Sequence, residues 1–185
     1  MLMLVQMSGV PGAGKSTIAR ALARSRQFAV LDVDVVKSAL LDSGIGYGEV
    51  GPPSYRTTLA LAEDMLGTTC SVIIDSPCQY DELLDAGQRL AERHQAAYRY
   101  IECFADDLPL LDRRLRERRP TRSQRPSVGT PPVDAPDQSR DETLAFREGL
   151  DRAKRPEAGY LRLDTARPVE VCVREAIAFL DGGSA

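Results

Sequence analysis

Eight consecutive residues, Gly9-Val10-Pro11-Gly12-Ala13-Gly14-Lys15-Ser16, satisfy G-x-x-x-x-G-K-[ST] at every fixed position. Glycine frees the backbone to turn successive N–H groups inward, and such a nest suits phosphate oxygens. A helix beginning at Lys15-Ser16 adds the positive end of its dipole to the same spot. Lys15 is then expected to reach the β- and γ-phosphates of ATP, with the Ser16 hydroxyl on Mg²⁺. The expected nucleotide contacts are Gly9, Pro11, Gly12, Ala13, Gly14, Lys15, Ser16 and Thr17. A Gly-rich strand-to-helix turn without a ligand is the alternative; the apolar strand before it and the helix after it favour the phosphate site.

Carboxylates follow at two strand ends. Leu31-Asp32-Val33-Asp34 closes the second apolar run, and ligands of parallel sheets bind beyond such strand ends. Asp32 and Asp34 are two apart, so both would point the same way in a strand. Asp34 also suits a helix N-cap, and Lys37 lies one helical turn later on the same face. Asp75 ends Cys70-Ser71-Val72-Ile73-Ile74, as a Walker-B carboxylate does. It would hold Mg²⁺ through water or bond to Ser16.

The third chemical feature is positive. Arg113, Arg114, Arg116, Arg118, Arg119, Arg122 and Arg125 crowd one stretch, with Arg114 and Arg118 sharing a helix face. Phosphoryl transfer needs positive charge on the equatorial oxygens, which a lid arginine supplies when closed. A solvated basic helix paired with Asp112 and Glu117 is the bland reading. Between the second and third strands, the stretch from Gly44 through Arg56 resembles the acceptor-binding region of P-loop kinases, with Tyr47, Tyr55 and Arg56 as expected acceptor contacts. Asp164-Thr165, after the last strand, resembles the place where the adenine base packs in P-loop kinase folds. His94 reads as a surface residue near a helix end.

The elements that must hold these residues read off as strands alternating with helices. Strands are expected at Leu2 to Met7, Phe28 to Val33, Cys70 to Ile74, Ala97 to Phe104 and Tyr160 to Leu163. Helices are expected at Ser16 to Arg24, Val35 to Leu41, Ser54 to Leu66 with Ser54 as cap, and Asp81 to His94. Three more follow at Leu108 to Arg118, Ser139 to Lys154 and Val169 to Leu180. Gly44 to Pro53 reads as a loop, and Pro120 to Pro136, rich in Pro, Ser, Thr and Arg, as a mobile lid loop. The pattern predicts a three-layer α/β/α sandwich on a mostly parallel five-stranded sheet, and with the phosphate loop this resembles a P-loop NTPase fold of the nucleoside or nucleotide kinase type. One domain over residues 1–185 is expected, its lid spanning about 113–137.

Phosphate loop, D-x-D with a basic residue three positions on, an aspartate-ended third strand and an Arg-rich lid resemble the zeta-toxin, chloramphenicol phosphotransferase and polynucleotide kinase group of P-loop kinases. The resemblance runs from Leu2 through Leu180. It implies that Asp34 accepts the proton of an acceptor hydroxyl and that Lys37, where the group usually has arginine, helps orient the acceptor. Lysine offers a point charge there instead of a bidentate fork. Asp75 as base, with Asp34 binding substrate, is the competing assignment; Asp32 is expected to contact substrate or a Mg²⁺-bound water. The resemblance also places Arg114 and Arg118 on the nucleotide phosphates as catalytic charges, with Arg122 as a further nucleotide contact.

Composition narrows the function classes. The chain has 185 residues, 43% hydrophobic and 28% charged, which is ordinary for a globular protein. A net charge of −3 argues against nucleic acid as partner, so a polynucleotide 5′-hydroxyl kinase ranks below a kinase of small hydroxylated acceptors such as a sugar, nucleoside or antibiotic-like compound. A nucleotide-dependent switch would need a residue that positions water, and no glutamine or glutamate stands out for it. Cys70, Cys78, Cys103 and Cys172 form no C-x-x-C pair, and with His94 the sole histidine they read as reduced apolar thiols. Met1 to Met7 is too short for a signal segment, and no run approaches a membrane span, so a cytoplasmic protein is expected. Oligomeric state has no signature in the sequence.

Overall fold

The computed structural model describes residues 1–136, 141–150 and 153–182. Along the chain lie β1 (Met3–Ser8), α1 (Lys15–Arg26), β2 (Ala29–Asp32), α2 (Val33–Asp42), α3 (Gly51–Gly67) and β3 (Val72–Asp75). There follow α4 (Asp81–Arg93), β4 (Ala97–Phe104), α5 (Leu108–Glu117), α6 (Glu142–Glu148), β5 (Tyr160–Asp164) and α7 (Val169–Leu180). The five strands form one sheet in the order β2-β3-β1-β4-β5, with each neighbouring pair parallel.

Side-chain alternation splits the strands between two cores. Met3, Val5 and Met7 of β1 pack with Ile18 and Leu22 of α1, Leu111 and Leu115 of α5, and Phe179 of α7. Leu4 turns the other way, onto Ala62 and Leu66 of α3 and Leu90 and Ala91 of α4. Both sheet faces are therefore covered by helices, as parallel strands buried on two sides require. Gln6 is a buried polar residue in the middle of β1. Its amide donates to Cys78 Sγ and Leu83 O, and its oxygen accepts from the Tyr98 hydroxyl at 2.8 Å.

The strand order places the chemistry. From β1 the chain proceeds to β2 and β3 on one side, then crosses to β4 and β5 on the other. The loop after β1 thus sits at the reversal point, where parallel sheets open a crevice at their carboxyl ends.

Three local expectations shift. β2 stops at Asp32, and α2 starts at Val33, so Asp32 and Asp34 do not share a strand face. Asp32, not Asp34, is the cap: its Oδ1 accepts the Asp34 N–H at 3.0 Å. α3 begins at Gly51 with Pro52 in its first turn, where a missing N–H costs nothing. Ser54 is therefore inside the helix, its hydroxyl donating to Gly51 O instead of capping. The helix expected over 139–154 is present as Glu142–Glu148, capped by Asp141 at one end and closed at Gly149. Residues 139–140 and 151–152 of that expectation lie outside the described residues.

Candidate active site

The loop after β1 is shaped by what surrounds it. Gly9 has φ +130°, and a Cβ there would stand 2.1 Å from Cys103 O, so no other residue fits. Gly14, at φ +83°, caps α1 in the left-handed region. Ala13 is fully buried behind the loop, its N–H closing a turn onto Val10 O. Lys15 folds back over the turn, its Nζ donating to Gly9 O at 2.8 Å and Val10 O at 3.2 Å. Pro11, Gly12, Gly14, Lys15, Ser16 and Thr17 line one wall of a cavity of about 810 Å³. Gly9 and Ala13 support that wall from behind.

Asp75 is 3% exposed, and neither carboxylate oxygen has a hydrogen-bond partner. Burial raises its pKa; Lys15 and then Ser16 pull it back, while Asp34 adds to the rise. Asp32 lies beside it in register across β2 and β3. Burial, then Asp75 and Asp34, push the Asp32 carboxyl up to about 6, against the Asp34 N–H and Arg20. Arg20 pairs with Asp32 at 3.3 Å. A buried carboxylate without partners, next to a hydroxyl and a lysine, is a hard-oxygen set suited to Mg²⁺. Among the described residues no cluster of three or more His, Cys, Asp or Glu side chains gathers as metal ligands.

Asp34 stands in the first turn of α2 and lines the cavity with Asp32, Lys37, Tyr47 and Asp75. Lys37 lies with Nζ 4.7 Å from the centre of the Tyr47 ring, a cation–π contact. Burial lowers the Lys37 pKa, and Asp34 opposes this. Burial also lowers that of Arg118, against Asp34 and Asp32. Arg118 donates to Arg125 O at 3.0 Å, and its buried Nε has no partner. It faces the carboxylate side of the cavity.

The remaining expected residues separate. Arg114 also borders the cavity, but its guanidinium donates to Gly12 O, Thr165 Oγ1 and Thr165 O. It braces the phosphate loop against the turn after β5, where Thr165 and Arg167 border the cavity. Arg122 does not line the cavity: it is spent on Asp134, Asp42 and Leu41 O, which corrects its expected nucleotide role. Tyr55 packs on the α3 and α4 side of the sheet, edge-on to Tyr80 at 6.4 Å, and is not part of the cavity wall. Arg56 points into a different groove, between α3 and α4, with Glu63 and Arg89. The burial pattern explains this: Ser54, Thr58, Ala62 and Leu66 bury one face of α3, and Arg56 lies off that face.

Two contributors went unrecognised in the sequence. Gln124 donates its amide to Asp34 Oδ2 at 2.9 Å, and the Ser123 hydroxyl donates to Asp34 O at 3.0 Å. Both sit in the Pro- and Arg-rich stretch, which carries no hydrophobic period to fix its path.

Comparison with known proteins places this geometry. A shikimate kinase of Corynebacterium diphtheriae is 36% identical over 72 residues, 38% of this chain and 42% of that protein. An uncharacterised protein of Mycobacterium tuberculosis H37Rv is 30% identical over 122 residues, 60% of this chain and 24% of that protein. The chain thus spans less than half the length of these curated relatives. Among solved structures, a candidate kinase from Chloroflexus aurantiacus superposes with a TM-score of 0.74 at 21% identity, covering 96% of this chain and 98% of that one. A sugar kinase from Janibacter sp. HTCC2649 gives 0.66 at 19% identity, covering 98% and 95%. The Mycobacterium tuberculosis APS kinase with AMPPNP and APS gives 0.65 at 17%, covering 97% and 98%. These likenesses establish the fold as that of P-loop kinases. The family model described as AAA domain, AAA_33, matches residues 4–148, more than half of the sequence, and the chain belongs to that family.

Proposed function

We propose that the protein transfers the γ-phosphate of ATP to a hydroxyl of a small molecule, with Asp34 as general base. The observation that carries this reading is one cavity lined by Lys15 and Ser16, by Asp34, and by Arg118. Charge for the phosphates, a proton acceptor and a charge for the developing oxygens thus border one cavity. The kinase neighbours named for sugar, gluconate and shikimate substrates support a small hydroxylated acceptor.

In this reading the loop N–H groups and Lys15 hold the β- and γ-phosphates. Ser16 and Asp75 would hold Mg²⁺, which when bound would neutralise phosphate charge. Asp34 takes the acceptor's hydroxyl proton as that oxygen bonds to the γ-phosphorus. The bond from phosphorus to the β–γ bridging oxygen breaks, and ADP leaves with the electron pair. Arg118 supplies positive charge to the equatorial oxygens, while Lys37 and Tyr47 border the acceptor.

The test is acceptor-dependent ADP release with Mg²⁺ across sugars, sugar acids, nucleosides, aminoglycoside- and phenicol-type compounds and a 5′-hydroxyl oligonucleotide. Removing a general base costs about 10²–10⁴ in rate, so Asp34→Asn should lose acceptor-dependent release while still binding ATP. Turnover near wild type in Asp34→Asn would move the base elsewhere, with Asp75 next in line.

A further inference from the structure

The arm of the lid over residues 121–125 docks along α2 at successive turns. Arg122 donates to Leu41 O and to Asp42 at the C-terminal end, both at 3.1 Å. One turn earlier, the Ser123 N–H donates to Ser38 Oγ and the Ser38 hydroxyl returns a bond to Ser123 Oγ, each at 3.0 Å. At the N-terminal turn, the Gln124 amide donates to Asp34 Oδ2 at 2.9 Å. Positions 34, 38 and 41–42 recur at helical spacing, so one stripe of α2 seats the arm. Ser38 and Ser123 are 8% and 6% exposed, which makes this a dry contact that does not exchange freely with water.

The orientation of the Gln124 amide is fixed by its other end. The Thr121 N–H donates to Gln124 Oε1 at 3.3 Å, and the Gln124 N–H closes the same turn onto Thr121 O at 2.9 Å. With its oxygen committed to a donor, the side chain offers its NH₂ group to the carboxylate. Charged groups also act around Asp34: Asp32 at the end of β2, Lys37 on α2, Asp75 on β3 and Arg118 after α5. Gln124 is the neutral donor in direct contact with the Asp34 carboxylate. It occupies Oδ2, while the Ser123 hydroxyl approaches Oδ1 at the longer distance of 3.4 Å.

We infer that Gln124, carried by a lid arm seated on α2, is a positioning residue that orients the Asp34 carboxylate for proton acceptance. The base is then correctly aimed only when the arm is docked, which couples lid seating to chemistry. This inference rests on Asp34 being the base.

The experiment measures acceptor-dependent ADP release with Mg²⁺ on the compound of the panel above that wild type turns over fastest. Gln124→Glu keeps the size of the side chain and removes the donor; Gln124→Ala removes both, and thermal melts check that each variant is folded. A hydrogen bond to a charged group is worth enough to predict a fall in kcat of about 10- to 100-fold in both variants, with KM for ATP within about threefold of wild type. In an Asp34→Asn background neither change should lower kcat further. Wild-type kcat in Gln124→Glu, or losses that multiply with that of Asp34→Asn, would overturn the positioning role while leaving the base intact. Wild type turning over no faster than Asp34→Asn would remove the base assignment and this inference together.

Discussion

Replacing Asp75 by Asn should stabilise the nucleotide-free protein and weaken its response to Mg·ATP. Asp75 is 3% exposed, with no partner on either oxygen. Burial outweighs the attraction of Lys15, which is why its pKa is raised and why the charge is disfavoured there. Converting a buried, unpaired carboxylate to a neutral amide of the same shape should recover about 1–2 kcal/mol. For a chain of this size that is a rise in Tm of roughly 2–8 °C without nucleotide. At about 100 Kd of Mg·ATP a binding site adds close to ~2.7 kcal/mol to the wild type. The variant should lose most of the part that depends on Mg²⁺. Differential scanning fluorimetry, with ATP plus EDTA against ATP plus Mg²⁺, reads both effects. A lower Tm in the nucleotide-free variant, or an undiminished Mg²⁺-dependent shift, would refute the assignment of Asp75 as a destabilised carboxylate awaiting a cation.

Other outcomes follow from the same geometry. Lys15→Ala removes the charge aimed at the transferring phosphoryl group and should lower kcat by about 10²–10³, measured as ADP release. Gly9→Ala forces a Cβ to within 2.1 Å of Cys103 O at φ +130°; strain of about 3 kcal/mol or more should lower Tm by several degrees and abolish ATP binding. Asp32 is raised from 3.8 to about 6, so the folded state binds the extra proton and stability falls as pH climbs through that window. The cost above it is about 3 kcal/mol. Asp32→Asn keeps a competent cap and should flatten the fall of Tm between pH 4 and about 6.5 in nucleotide-free protein.

What could be read in advance depended on how local the cause was. The phosphate loop was legible because its glycines answer to backbone geometry within eight residues, and the helix over 169–180 because its apolar rhythm is uninterrupted. The capping carboxylate was misplaced by two residues because the strand-to-helix change happens at Asp32, where either aspartate suits a cap. Arg56 was placed in the acceptor region from its neighbours in sequence, but the face of α3 it occupies is decided by which residues bury against β2 and β3. The lid was the least legible. Arg122 carries the obvious charge yet is paired with Asp42 and Asp134, whereas neutral Gln124 reaches Asp34. Those partners are 80 to 90 residues apart in places, and no local pattern encodes such a contact.

The most direct test of the central claim follows the label from [γ-³²P]ATP in the presence of Mg²⁺ and the acceptor panel, with Lys15→Ala alongside. The account predicts label in an organic phosphate ester made by wild type and missing from Lys15→Ala. Label found solely in inorganic phosphate, at a rate indifferent to every acceptor, would contradict it.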